Sequence, residues 1–442
     1  VSYYLDQYVF YMIFFKVKTR NLVFSFILLS LLIVSDLLLF TRYSNWGIKT
    51  DSIWLFIAII DVVLLFMLIS FFRFKRIVNP SSVYLVFVGL FAYSVLPLSE
   101  NIRFSNELLL IILCGVAAYF VGVFCLPQIH IITFPVFTNR TKRIFYYILC
   151  VLTFSCFIYE IKNVGYIPVF VIGQSLDIYG EVGESNSVLH TFVLLTPILF
   201  YWSLILAKEG IIQTRIRNCI VSFLLFVFVN NFGRTSLLMF IITGLIYLEF
   251  YTKLSVSKFI SIIFLFISLF IIMGNVRSGS TFDGINKVLR RIGNTQYETS
   301  ILESYLISYS SVNFYKMNDV IQLKEVLNYS SNGRNSLKPI VKLLSISEPL
   351  DNVAEFQTQQ NLSTYIADPY LDFGYAGVVV LNCLYGMIAV MLFERYEKKN
   401  CPEYIISWGV VVFCILMGCF FNAFNTMLVW VIYICNKILL KR

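Results

Sequence analysis

The chain has 442 residues, of which 59% are hydrophobic, 17% aromatic and only 13% charged, with a mean hydropathy of +0.80 and a formal net charge of +9. That balance excludes a soluble protein, because a soluble surface cannot be covered by so few polar groups. It points to an all-α, polytopic membrane protein: apolar runs of about 17–22 residues, long enough to cross a hydrocarbon core of roughly 30 Å, recur from Asn21 almost to the C-terminus.

In chain order, "YVFYMIFF" is too short to span and is expected at the membrane interface. Lys16, Lys18 and Arg20 precede a long apolar run without a small-residue cleavage pattern, which predicts a retained signal-anchor. The length criterion then predicts about twelve spans, near 22–41, 52–72, 81–98, 107–126, 144–161, 189–207, 218–231, 235–251, 259–275, 372–393, 404–421 and 426–439. Cations cluster in alternate connections, such as Arg73/Lys75/Arg76, Arg140/Lys142/Arg143 and Arg395/Lys398/Lys399, while the other set holds mostly single ones. Both termini are therefore expected in the cytoplasm, and this topological bias accounts for the positive surplus without nucleic acid as a partner. The organisation reads as spans over 1–275, a long extracytoplasmic loop over 276–371, and spans over 372–442.

Asp61, near the middle of the second span, is an ionisable group in an expensive place, with structural and functional roles both open. The outer loop 162–188 and the start of the next span offer Asp177, Glu181, Glu184 and His190 as proton acceptors, each of which also suits an ordinary solvated or capping role. "VNNFGRTSLLMF" at 229–240 places Arg234 in a joint of a few residues, with Thr235 and Ser236 suited to cap the following helix. A helix N-terminus plus a guanidinium makes an anion site at the membrane surface; the alternative is an arginine that snorkels to anchor the helix end.

The long loop begins with Arg277, Lys287, Arg290 and Arg291. Arg277, beside glycine and serine, suits a lipid-borne anion. Arg290 and Arg291 suit the same anion or simple attraction to headgroups. Residues 299–327 have apolar positions at helical spacing and predict helices along the membrane surface, whereas "SNGRNSLKPIVKLLSISEPLDN" predicts irregular chain or short helices. Asp368 and Asp372 can cap the next helix or accept a proton, and Gly374, Gly377 and Gly386 permit close helix packing. The "DFG" there lacks the rest of a kinase, and the ten cysteines and two distant histidines, His130 and His190, predict neither a disulfide framework nor a metal site.

The short "GRTSLL" joint, the long outer loop and "YLDFGYAGVVV" beyond it resemble the bacterial oligosaccharide repeat-unit polymerases, the O-antigen and capsule polymerases of the Wzy type. The resemblance implies a GT-C-like membrane glycosyltransferase of the bacterial plasma membrane, metal-independent and without a cofactor. Its substrate would be an undecaprenyl-diphosphate-linked oligosaccharide in the lipid bilayer, with a chain-length regulator protein as a further partner. It implies catalytic roles for Arg234 and Arg277 against the leaving diphosphate, His190 or Asp372 as base, and substrate contacts from Arg290, Arg291, Tyr370 and Gly374. The family's arginine-rich outer-loop pattern is only partly met, since 162–188 contains no arginine. A lipid-linked oligosaccharide flippase and an O-antigen ligase-like transferase are the competing classes.

Overall fold

The computed structural model describes residues 53–74, 78–94, 104–124, 135–171, 187–252 except 232, 311–327, 330–344, 364–399 and 401–441, with single positions at 261, 264 and 268. Among the described residues every regular element is helical. We number the α-helices α1 (Ile53–Arg73), α2 (Pro80–Ser94), α3 (Asn106–Phe124), α4 (Asn139–Val164), α5 (Ser187–Leu194), α6 (Thr196–Lys208), α7 (Thr214–Asn231), α8 (Arg234–Thr252), α9 (Ser311–Leu327), α10 (Lys338–Leu343), α11 (Ala367–Lys399), α12 (Pro402–Met417) and α13 (Met427–Leu440). Asn106–Phe124, Asn139–Val164, Thr235–Thr252 and Ala367–Lys398 are long and apolar enough to cross a membrane; five shorter apolar helices accompany them. The chain is thus a helical membrane protein.

Local chemistry sets the helix ends. Thr138 caps α4 by accepting from the Thr141 N–H at 3.2 Å, and Gly165, at φ 82°, closes it by donating to the Ile161 carbonyl. The predicted single span 189–207 is two helices, α5 and α6, because Pro197 has no N–H to continue the ladder through Leu195. Packing then relies on small residues: a Cβ on Gly122 would overlap the Cys383 carbonyl, and one on Gly386 the Tyr119 carbonyl, so α3 and α11 touch backbone to backbone. Trp202 and Trp408 are fully buried in the core.

The helix ends sort into two groups. At one end Arg73 donates to the Val123 carbonyl at 3.0 Å and pairs with Glu394 at 2.9 Å, Lys142 reaches the Lys441 carbonyl at 2.7 Å, and Lys437 pairs with buried Glu403. These are ends whose connections carry the dense positive charge. At the other end Tyr315 donates to the Ser94 carbonyl and the Ser105 N–H donates to Asn318.

Two elements depart from the hydropathy reading. The helix α9 was expected on the membrane surface, but Phe314, Met317 and Ile321 are buried in the common core, with the Phe314 ring 5.1 Å from that of Phe91. More consequentially, α11 is a hairpin of two arms rather than one rod. Gly374 has φ 62° and ψ −145°, a conformation open essentially to glycine alone. Tyr365 Oη donates to Asn382, 17 residues on, a separation that a straight helix would stretch to about 25 Å. A Cβ on Gly115 would meet both Ile366 and Val378, and the Tyr365 ring lies 5.2 Å from that of Phe87, midway along α2. Residues 364–373 therefore rise from inside the bundle and fold back along 375–399. The unwound backbone at the foot of this hairpin is paired with the unwound backbone after α12, Tyr365 N–H to Gly418 O at 2.8 Å, which is how non-helical chain is tolerated at depth.

Candidate functional site

Two polar clusters stand at the end of the bundle that bears the α7–α8 joint and the α11 hairpin. The first grows from the end of α4. Glu160 lies one turn before the Gly165 cap and is 5% exposed at its side chain; His190, on α5, places Nδ1 2.9 Å from its Oε1. A buried carboxylate accepting from Nδ1–H fixes the neutral ring as the tautomer whose Nε2 lone pair is available. Among the described residues no hydrogen bond engages that Nε2.

Beside this pair is a cavity of about 20 Å³, room for one water, lined by Phe157, Glu160, Tyr166, Val193, Asn230 and Asn231. The two asparagines end α7. Asn230 is held by donating to the Phe226 carbonyl at 2.9 Å and accepting from the Val169 N–H at 3.1 Å, and Asn231 donates to Ser236 Oγ at 3.3 Å. The joint is therefore folded back against the site.

The helix α8 opens at Arg234, with the Gly233 carbonyl accepting the first helical bond from Leu237 at 2.9 Å. Thr235 and Ser236, expected as caps, lie in its first turn instead; Ser236 is occupied by Asn231. Asn231 therefore links the two elements: it lines the cavity together with Glu160 and donates to Ser236 in the first turn of α8, while His190 reaches the cavity only through Glu160. The side chain of Arg234 lies outside the described atoms.

The second cluster surrounds the α11 reversal. Asp372, 2% exposed, accepts from Ser331 Oγ and from the N–H groups of Asn335 at 3.2 Å and Ser336 at 2.6 Å. Its own carbonyl accepts from Ser330 Oγ at 2.9 Å. This is the geometry of a clamp on the turn 331–337. Lys324, from α9, donates to the Tyr370 carbonyl at the end of the short arm and lies 4.1 Å over the Tyr370 ring. Burial pushes the Lys324 ammonium below the ordinary lysine range, against the pull of the Asp372 and Glu107 carboxylates. Tyr370 Oη donates to Glu107 at 3.1 Å, and a Cβ on Gly374 would sit 3.9 Å from Lys324 Nζ. Lys338, Asn422 and Asn425 lie close to Asp368. Tyr370, Asp372 and Gly374 are close in the chain, but the Asp372 carboxylate faces the turn 331–336 whereas Tyr370 Oη faces Glu107.

The chain matches no protein-family model, no curated protein and no solved structure.

Arg277, Lys287, Arg290, Arg291, Asp177, Glu181 and Glu184 lie outside the described residues, as do the first span and nearly all of the ninth. Asp61 is half-buried along α1. Among the described residues no three His, Cys, Asp or Glu side chains gather as metal ligands, and the nine described cysteines, of ten in the sequence, are free. Sequence reasoning passed over Glu160, Glu107 and Lys324. For Glu160 the signal was faint: it stands one residue from the end of the predicted span 144–161, where an acid can reach the interface at far less cost than Asp61 at mid-span.

Proposed function

We propose that the chain is a GT-C-like membrane glycosyltransferase that joins undecaprenyl-diphosphate-linked oligosaccharide repeat units into O-antigen or capsular polysaccharide. It works at the outer face of a bacterial plasma membrane, through about twelve spans and with both termini in the cytoplasm. The observation that carries this reading is the His190–Glu160 pair, whose Glu160 lines a cavity with Asn230 and Asn231, the residues that lead into the Gly233-Arg234 joint. A neutral imidazole oriented by a buried acid suits the removal of a proton from a sugar hydroxyl.

In the proposed step, Nε2 of His190 takes the proton as the acceptor oxygen attacks the anomeric carbon of the growing chain. The bond from that carbon to the diphosphate oxygen breaks, and its electron pair leaves with the diphosphate. Arg234 and the free N–H groups at the start of α8 offset the charge that develops there, a role taken by a metal elsewhere. Asp372, held by three donors, serves the fold in this scheme.

Purified protein supplied with lipid-linked repeat units, and no lipid A core, should extend them into a ladder, and should do so in excess EDTA. Activity that appears only when lipid A core is added would favour the ligase. Transfer of the lipid-linked unit across a vesicle wall with no new glycosidic bond would favour the flippase. A ladder abolished by EDTA and restored by magnesium would replace the arginine with a metal.

A further inference from the structure

The turn 331–337 and α10 belong to the loop that hydropathy places in water, yet three of the six described side chains exposed over 331–344 are large and apolar. Leu337, Ile340 and Leu344 are 47, 39 and 63% exposed at i, i+3 and i+7, while Pro339 and Val341 turn inward. The strip does not stop there. Phe373, 54% exposed, packs over Gly333, where a Cβ would lie 3.0 Å from its ring, and the exposed Val379 and Val380 carry the same surface along the long arm of α11. That helix is long and apolar enough to cross a membrane, so its exposed apolar side has hydrocarbon as its natural neighbour.

The Asp372 clamp fixes the turn to α11, so the strip is held in register with the span. Arg334, exposed in the turn that leads into α10, borders the strip, the arrangement of an interfacial segment whose cation meets phosphate while its apolar side enters the acyl layer.

We propose that α10 is a foot set into the membrane: its outer strip contacts the acyl chains of bilayer phospholipid, and Arg334 meets their phosphates. The outer loop then leaves and returns to the lipid surface at a fixed point rather than standing free in water. Nothing in this depends on the reaction proposed above.

The test uses the full chain in nanodiscs, with a fluorescent amino acid in place of Ile340, of Val380 as the span reference, or of exposed Lys398 as the aqueous reference. Lipids brominated on their tails should quench position 340 at least half as strongly as position 380, and iodide should quench it far less than position 398. Iodide quenching equal to that at 398 overturns the proposal. A photo-crosslinking amino acid in place of Leu344 identifies the neighbour directly: a phospholipid adduct supports the foot, whereas crosslinks within the chain or to a second copy assign the strip to protein instead.

Discussion

The two polar clusters have much the same ingredients, a buried acid, a basic side chain and hydrogen-bonding neighbours, but they are finished differently. Around Asp372 both carboxylate oxygens are taken by donors from the turn 331–336, and Lys324 is spent on a backbone carbonyl and an aromatic face. Around His190 one ring nitrogen is committed to Glu160 and a small cavity remains beside the pair. A saturated network fixes a conformation, here the reversal at Gly374, and has little left to offer a substrate. A pair whose acid lines a cavity and whose second ring nitrogen meets no hydrogen bond among the described residues has capacity left over, which is the condition for chemistry.

The comparison breaks most visibly at His190. His190→Ala should lower polymerisation by about 10²–10⁴-fold, the usual worth of a positioned general base, with membrane-protein level unchanged. The chain-length ladder of surface glycan, in a strain lacking the native gene, measures it. A full ladder would remove the first cluster from the reaction. Arg234→Lys comes next. A lysine keeps the charge and can snorkel, so an anchoring role predicts near-normal ladders; a site that uses the two-pronged guanidinium loses about 3 kcal/mol, roughly a hundredfold in rate. Asp372→Asn should act in the opposite sense to both. Replacing one acceptor oxygen by an amide leaves a buried donor of the 331–336 turn unmet, at a cost of about 2 kcal/mol. The thermal midpoint in detergent should fall while turnover per folded molecule holds. Lost turnover at an unchanged midpoint would make Asp372 the base and reverse the roles of the two clusters.

Much of the helical frame was legible in the sequence because long apolar runs have few other fates. The runs 107–126 and 235–251 became Asn106–Phe124 and Arg234–Thr252, within a few residues. What stayed hidden depends on contacts between distant segments. Gly374 looks like one more packing glycine until Tyr365 is seen bonded to Asn382, and the apolar face of 311–327 fits a lipid surface as well as it fits Phe87 and Phe91. The break in 189–207 was readable, since Pro197 sits inside the run. Half of the first cluster was readable too: His190 stands out as one of two histidines, whereas Glu160 acquires meaning only when α4 and α5 are set side by side.

That hidden partner supplies the finest test. Glu160 touches neither substrate nor leaving group in the proposed scheme; it positions His190 and stabilises the imidazolium formed when the proton arrives. Glu160→Gln keeps an acceptor for Nδ1–H but removes the charge, so the penalty should be modest, about 1–1.5 kcal/mol or roughly tenfold in kcat, with KM for the lipid-linked unit unchanged. A buried acid that merely packs α4 against α5 could give a loss of similar size by loosening the bundle. The two are separated by a double-mutant cycle. If Glu160 acts through His190, Glu160→Gln should cost nothing further in a His190→Ala background, because the group it positions is gone. If it acts through packing, the tenfold loss should reappear in full on top of His190→Ala. Residual turnover of the single and double variants, normalised to folded protein, decides between them, and an additive result would return Glu160 to the structural side of the comparison.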